Sequence, residues 1–330
     1  MSGFAALFDY AGEVLSFGFK ADAETAPEVS APEPGALARL LGRTLAAFER
    51  SGRERLVLLG LGSGALAGAL AETLPPGALV VCEQDLPLVR SLRASGRLDW
   101  WLREGPAGLA ADASAWALLL LLDRAGVLGS ALVLANPELP PAAKAAHRTL
   151  ELLLTRSQPA AIPARAEAPR LSCAAILAPS EPDLPGFFAQ FPDWIAELAL
   201  VWDSDAPPDL DVPARFPVRQ AARRLGGDFA AQRGVMLSAC RGDWVLYLDA
   251  DERLSPGAWA ALPRLCAAEG VSGWHFPRLS PYPSADRALV GFGLWPDIQL
   301  RLFRNQPQLS FVNPVHERLA GLAGAQGLVL

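Results

Sequence analysis

Gly242-Asp243-Trp244-Val245-Leu246-Tyr247-Leu248-Asp249-Ala250-Asp251-Glu252-Arg253-Leu254 decides how the rest of the chain is read. The apolar run from Trp244 to Leu248 has the length and composition of a strand buried on both faces, as in parallel sheets. Three carboxylates follow at once, Asp249, Asp251 and Glu252, at the strand end where open α/β sheets bind their ligands. Asp249 and Asp251 are two apart, so an extended strand points both to one face, where a divalent cation relieves their repulsion most directly. Carboxylate oxygens suit hard ions such as Mg2+ or Mn2+, which bring substrate phosphates with them. The competing reading is helix capping, because Ser255-Pro256 is a natural helix start.

On the N-terminal side, Leu171 to Leu177 and Glu197 to Trp202 have strand patterns, the second ending at Asp203, with a helix-like segment to Phe191 between them. Asp228-Phe229-Ala230-Ala231-Gln232-Arg233 opens a helix that runs to Ala239. On the C-terminal side stand Asp297-Ile298-Gln299-Leu300-Arg301-Leu302-Phe303-Arg304 and Phe311-Val312-Asn313-Pro314-Val315-His316-Glu317.

In this order the parts resemble the nucleotide-sugar-binding half of family 2 glycosyltransferases with the GT-A fold. The two C-terminal stretches look like the "RLFR … VHE" signature of the bacterial subgroup similar to lipopolysaccharide-core glucosyltransferases. With LDADE they cover residues 171–320. The resemblance implies an enzyme that moves a sugar from a nucleotide-diphosphate donor to a glycan, lipid-linked or protein acceptor, with Mn2+ or Mg2+ as cofactor. It makes Asp203 a contact to the base or ribose and sets Asp228 and Arg233 near the nucleotide. Asp249 and Asp251 would hold the metal and diphosphate, with His316 a further metal ligand. Glu317 or Glu252 would take the acceptor proton. Arg301 and Arg304 would bind the leaving diphosphate, whose oxygens a guanidinium engages in pairs. The chain departs from the family at Pro179-Ser180-Glu181-Pro182, where Lys-Asn-Glu-Glu is usual, and at Asp203-Ser204-Asp205-Ala206-Pro207, which lacks the usual glycine.

The first half opens with another α/β unit. Leu56-Val57-Leu58-Leu59 is a short apolar strand, followed by Gly60-Leu61-Gly62-Ser63-Gly64 and a helical run from Ala65 to Leu74. A second strand, Ala78 to Cys82, ends at Glu83. Strand, glycine turn and helix make a Rossmann-like unit, in which Gly60, Gly62 and Gly64 let a ligand approach and Glu83 bonds a ribose hydroxyl. The pattern also resembles the adenosyl-methionine site of class I methyltransferases, which gives one alternative function; a non-catalytic scaffold of the same folds is the other. Ala131 to Asn136 continues into Pro137 without the aromatic residue of an amino-methylating site, so a structural domain is the preferred reading. His147, in the helical pattern from Pro141 to Thr155, is read as a surface residue without a role.

Composition bounds these readings. A chain of 330 residues with 51% hydrophobic and 19% charged residues suits two compact α/β domains. A net charge of −6 argues against nucleic acid as a partner. Cys82, Cys173, Cys240 and Cys266 form no CxxC pair, so buried thiols are expected and neither zinc nor disulfides. The start, Met-Ser-Gly-Phe-Ala, is unlike a signal peptide, and the apolar run Ala115 to Leu122 is far short of the ~20 residues of a transmembrane helix. A cytoplasmic location follows as the expectation, with contact to a membrane limited to its periphery. The domains are then a lead-in over 1–34, a Rossmann-like domain over 35–155, a proline- and alanine-rich linker over 156–170 and a GT-A domain over 171–330. That last domain stops inside an apolar run at Leu330, so it is expected to be cut short of its acceptor elements.

Overall fold

A computed structural model describes residues 3–16, 29–210, 212–213, 215–284, 286–291 and 293–330. The chain is mixed α/β and divides into two compact units, one formed by Met1–Gln158, Arg278–Asp297 and Leu330, the other by Pro159–Pro277 and Ile298–Val329. No helix among the described residues is long and apolar enough to cross a membrane.

The first unit contains α1 (Gly3–Ser16), α2 (Pro34–Ser51), β1 (Arg55–Leu59), α3 (Ala65–Thr73), β2 (Leu79–Glu83), α4 (Leu86–Ala94), β3 (Ala107–Ala111), α5 (Ala115–Arg124), β4 (Ala131–Ala135), α6 (Pro141–Ala146) and α7 (Arg148–Arg156). Its four strands are parallel in the order β3-β2-β1-β4. Alternate residues of β1 and β2 enter two cores: Leu56, Leu58, Leu79 and Val81 on one face, Val57, Leu59, Val80 and Cys82 on the other. Burial on both faces explains why these strands are continuous apolar runs.

Three features differ from the sequence expectation. The segment read as a lead-in over 1–34 holds a helix, α1, which lies on β3 with Leu7 and Phe4 over Gly108 and buries Leu7, Ala11 and Val14. Residues 17–28 of that segment lie outside the described residues. The single helix expected from Pro141 to Thr155 is two helices that break at His147, and His147 is buried rather than on the surface. Residues 278–297, assigned to the second domain, belong to the first unit, where Trp295 packs on Tyr10 with ring centroids 5.8 Å apart.

The second unit contains β5 (Leu171–Leu177), α8 (Leu184–Ala189), β6 (Glu197–Trp202), β7 (Val218–Ala222), α9 (Phe229–Ala239), β8 (Trp244–Leu248), α10 (Pro256–Cys266), β9 (Val271–Arg278), β10 (Asp297–Arg304), β11 (Ser310–Val312), β12 (Arg318–Ala320) and β13 (Ala325–Leu328). Its seven-stranded sheet runs β13-β9-β10-β8-β5-β6-β7, and β11 pairs with β12 in a separate ribbon. Strands β7-β6-β5-β8 are parallel and repeat the order of the first unit's sheet. In both sheets the winding reverses at one pair, β1 with β4 and β5 with β8, and ligands of open α/β sheets bind outside the carboxyl ends of such a pair. The helices start at side-chain caps that satisfy first-turn N–H groups: Asp183 for α8, Asp228 for α9 and Ser255 for α10. Entry into β8 requires glycine at 242, because a Cβ there would lie 2.5 Å from the Arg170 carbonyl oxygen.

Candidate functional site

The carboxyl end of β8 lies at the reversal point of the second sheet. The strand stops at Leu248, and the chain turns there: the Glu252 N–H donates to the Asp249 carbonyl at 2.9 Å, and the Asp249 N–H to Glu252 Oε2 at 3.1 Å. Asp249 and Asp251 therefore do not share a strand face. Asp249 turns inward, whereas Asp251 is exposed.

Two buried arginines from separate elements meet Asp249. Arg233, on α9, donates from one Nη to Asp249 Oδ1 at 2.8 Å and from Nε to Glu317 Oε1 at 2.5 Å. Arg301, on β10, donates from one Nη to Asp249 Oδ2 at 2.7 Å and to Glu252 Oε1 at 2.5 Å. Topology brings Arg301 there: β10 runs antiparallel to β8 with Leu302 opposite Leu246, so residues early in β10 reach the end of β8. Tyr247 supplies a common aromatic surface, its ring centroid 4.6 Å from Arg233 Cζ and 4.7 Å from Arg301 Cζ. Phe311 and Phe303 support that ring from 5.6 and 6.0 Å.

Arg233 and Arg301 are 5% and 6% exposed, and a guanidinium withdrawn so far from water is tolerable only when paired. Each lies between carboxylates. Burial pushes the Asp249 carboxyl up, but the charges of Arg301 and Arg233 outweigh that and hold it below the usual carboxylate range. Burial pulls the Arg301 guanidinium down, and the opposing charge of Asp249 more than reverses this. Two cations against Asp249, Glu252 and Glu317 leave the cluster one negative charge in excess.

The other residues singled out from the sequence are placed as follows. Asp203 accepts from the Leu225 N–H at 2.8 Å, and Asp228 caps α9 by accepting from Ala231 N–H at 2.9 Å. Arg304 is corrected: three residues after Arg301 in a strand, it lies on the opposite face, over the Trp244 ring at 4.7 Å, away from Asp249. His316 is exposed and has a left-handed backbone, φ 54°. Among the described residues no three His, Cys, Asp or Glu side chains form a group that could hold a metal ion. Both Asp249 oxygens face guanidinium groups, so Asp249 does not fit the ligand set expected of it. Asp251 and His316 are exposed, and each is the chain neighbour of a carboxylate, Asp249 or Glu317, that Arg233 binds. Sequence reasoning passed over Tyr247, although its two-residue spacing from Asp249 was a usable signal.

The corresponding edge of the first unit is filled by its own side chains. After β4, Glu138 turns onto the glycine turn and accepts from Ser63 N–H at 2.8 Å, Ser63 Oγ at 2.5 Å and Leu66 N–H at 2.7 Å. A carboxylate thus stands at the start of α3, where a ligand phosphate would otherwise bind. Gly62 has φ 59°, and a Cβ there would lie 2.8 Å from Glu138 Oε2. Asn136 donates to the carbonyls of Gly60 and Leu61, both at 3.0 Å. Glu83, expected to meet a ribose, accepts instead from Leu61, Gln84 and Asp85 N–H groups at 2.8, 2.8 and 2.9 Å, with His147 Nε2 3.5 Å away. Asp112, just past β3, accepts from Tyr10 Oη at 2.7 Å and Ser114 N–H at 2.7 Å. Nothing local in the sequence marks Glu138, because its partners lie more than 70 residues earlier.

No family model matches the chain. Among curated proteins, a TPR repeat-containing protein of Synechococcus elongatus is 39% identical over 92 residues, which is 27% of this chain and 20% of that protein. The chain thus matches about a fifth of that relative's length. Among solved structures, Staphylococcus aureus TarS (residues 1–349) superposes with a TM-score of 0.29 and 17% identity, covering 41% of this chain and 47% of that one. A superposition that slight constrains neither the fold nor the activity.

Proposed function

We propose that the second unit is a glycosyltransferase domain that binds a nucleotide-diphosphate sugar outside the carboxyl ends of β5 and β8. The observation that supports this reading is the meeting of three separate motifs in one charged cluster: LDADE through Asp249 and Glu252, the β10 stretch through Arg301, and the loop before β12 through Glu317, with Arg233 joining them. Residues this far apart in sequence, buried and paired at the ligand-binding edge of a sheet, suit a site more than a surface. Asp251 and His316 would be the protein's donors to a Mn2+ or Mg2+ ion bound with the donor diphosphate. When bound, such an ion neutralises charge on a leaving diphosphate. Arg233 and Arg301 hold Asp249, Glu252 and Glu317 in place, and a carboxylate of this cluster accepts the proton of the acceptor hydroxyl. The acceptor class is a glycan, a lipid-linked sugar or a protein. The first unit serves as a structural domain, its nucleoside positions being filled by Glu138, Asn136 and Tyr10.

The test is thermal protection by ligand, since binding to the folded state raises the unfolding temperature. UDP with Mn2+ is expected to protect the full chain, and Asp251→Ala to abolish the protection. Protection by S-adenosylhomocysteine, or none by any nucleoside diphosphate with metal, would refute the proposal.

A further inference from the structure

We propose that β4 is an interaction edge, taken by the β4 of a second copy of this chain that runs antiparallel to it about a two-fold axis at Val133. In the first unit's sheet β4 pairs with β1 alone and stands at the border. Backbone bonds fix which of its residues turn outward. The N–H groups of Leu56 and Gly60 donate toward β2 at 2.7 and 2.8 Å, and the Asn136 N–H donates to the Leu59 carbonyl at 2.9 Å. Alternation then turns the N–H and C=O groups of Leu132 and Leu134 toward β1, and those of Ala131, Val133 and Ala135 away from the sheet.

Such an edge is a template for another strand, and soluble proteins blunt it with charge, proline or a covering element. The other borders conform. β3 is buried throughout with α1 against it, β7 exposes Arg219 and Gln220, and β13 exposes Gln326. β4 has none of these devices, every residue being apolar and half-buried. Its faces are covered, Leu132 and Leu134 packing into one core and Ala131 and Val133 into the other, so the exposure belongs to the edge.

The strand's own sequence identifies the partner that fits. Ala131-Leu132-Val133-Leu134-Ala135 reads the same in both directions. Antiparallel pairing about Val133 therefore sets Val133 against its counterpart and Ala131 against Ala135, all outward-turned residues that exchange both N–H···O bonds. Leu132 meets Leu134 on the same face of the joined sheet, so each core continues across the axis into its counterpart rather than ending at water. A slip of one residue sets outward groups against inward-turned ones, and a slip of two leaves pairs unmade. No charged side chain lies on the strand to repel its copy. An isologous contact of this kind closes at two chains, because it uses up the edge.

The experiment uses the full chain. Light scattering during size-exclusion chromatography is expected to give twice the chain mass, falling toward one chain on dilution. Val133→Pro removes only an outward N–H, so the variant is expected to keep its circular dichroism and run as a single chain. Register is read by disulfide trapping, for which the buried native thiols give no background. Val133→Cys is expected to crosslink on oxidation, since opposed Cα atoms in such a pair lie about 5.5 Å apart, within disulfide reach. Ala131→Cys alone is not expected to, its counterpart lying about 14 Å away, and adding Ala135→Cys is expected to bring crosslinking back. A single-chain mass at every concentration, or a larger open-ended assembly, would overturn the proposal. So would a dimer that survives Val133→Pro, or one that Ala131→Cys traps and Val133→Cys does not. The trapping pattern decides even if Val133→Pro fails to fold, and none of these outcomes bears on the chemistry of the second unit.

Discussion

Glu138 accepts a hydrogen bond from the Leu66 N–H at 2.7 Å, so the first turn of α3 closes on a carboxylate of the same chain. Its side chain also accepts from Ser63, and these donors otherwise have no helical partner. Glu138→Ala is expected to lower stability by about 1–3 kcal/mol, the cost of leaving buried donors unsatisfied, measured by urea unfolding. The same variant should gain stabilisation by inorganic phosphate that the unaltered protein lacks, and Glu138→Gln should fall between them. Equal phosphate responses in all three proteins would show that Glu138 does not occupy an anion position.

Asp249 makes stability depend on pH in a fixed direction. Its carboxyl titrates lower in the folded chain than in the unfolded one, where it returns to about 3.9. The folded state therefore releases this proton more readily, and its contribution is complete above the unfolded value and lost as the pH falls through the folded one. Asp249→Asn should flatten the loss of stability measured between about pH 5 and pH 2. At neutral pH it should also cost about 2–3 kcal/mol, less than a fully buried pair because the side chain is 34% exposed.

The four thiols are expected to be unreactive in the folded protein. All are buried, and burial pushes the Cys240 and Cys266 thiols up to about 12, far above the pH at which thiolate reagents are used. An Ellman titration should count none in the native protein and all four after denaturation. Rapid native reaction of Cys266 would contradict the packing around α10.

Tyr10 and Asp112 form the polar contact that fixes α1 to the end of β3. Asp112 is fully buried, so Tyr10→Phe leaves one of its oxygens without a partner and should cost about 1–3 kcal/mol in chemical unfolding. Protection by UDP with Mn2+ should be unchanged, since this contact lies wholly within the first unit.

Much of this architecture is legible in local pattern. The strands at Leu171–Leu177, Glu197–Trp202 and Trp244–Leu248 have the limits their apolar runs suggest, because a strand buried on both faces has no polar alternation to blur its ends. Strand β7, Val218-Arg219-Gln220-Ala221-Ala222, left no such trace, since an edge strand needs few apolar residues. The opposite faces of Arg301 and Arg304 follow from their three-residue spacing, which strand parity alone resolves.

Sequence by itself thus determined where the strands and capped helices form, and which charged residues stand at their ends, because burial and capping act over a few neighbouring positions. Tertiary structure alone decided which charges meet. Arg233 and Arg301 reach Asp249 across 16 and 52 positions, Glu138 reaches Leu66 across 72, and the turn after Leu248 sends Asp251 outward. Such pairs form because a buried charge must find its partner wherever the chain returns, and that place is fixed by strand order and direction rather than by spacing along the sequence.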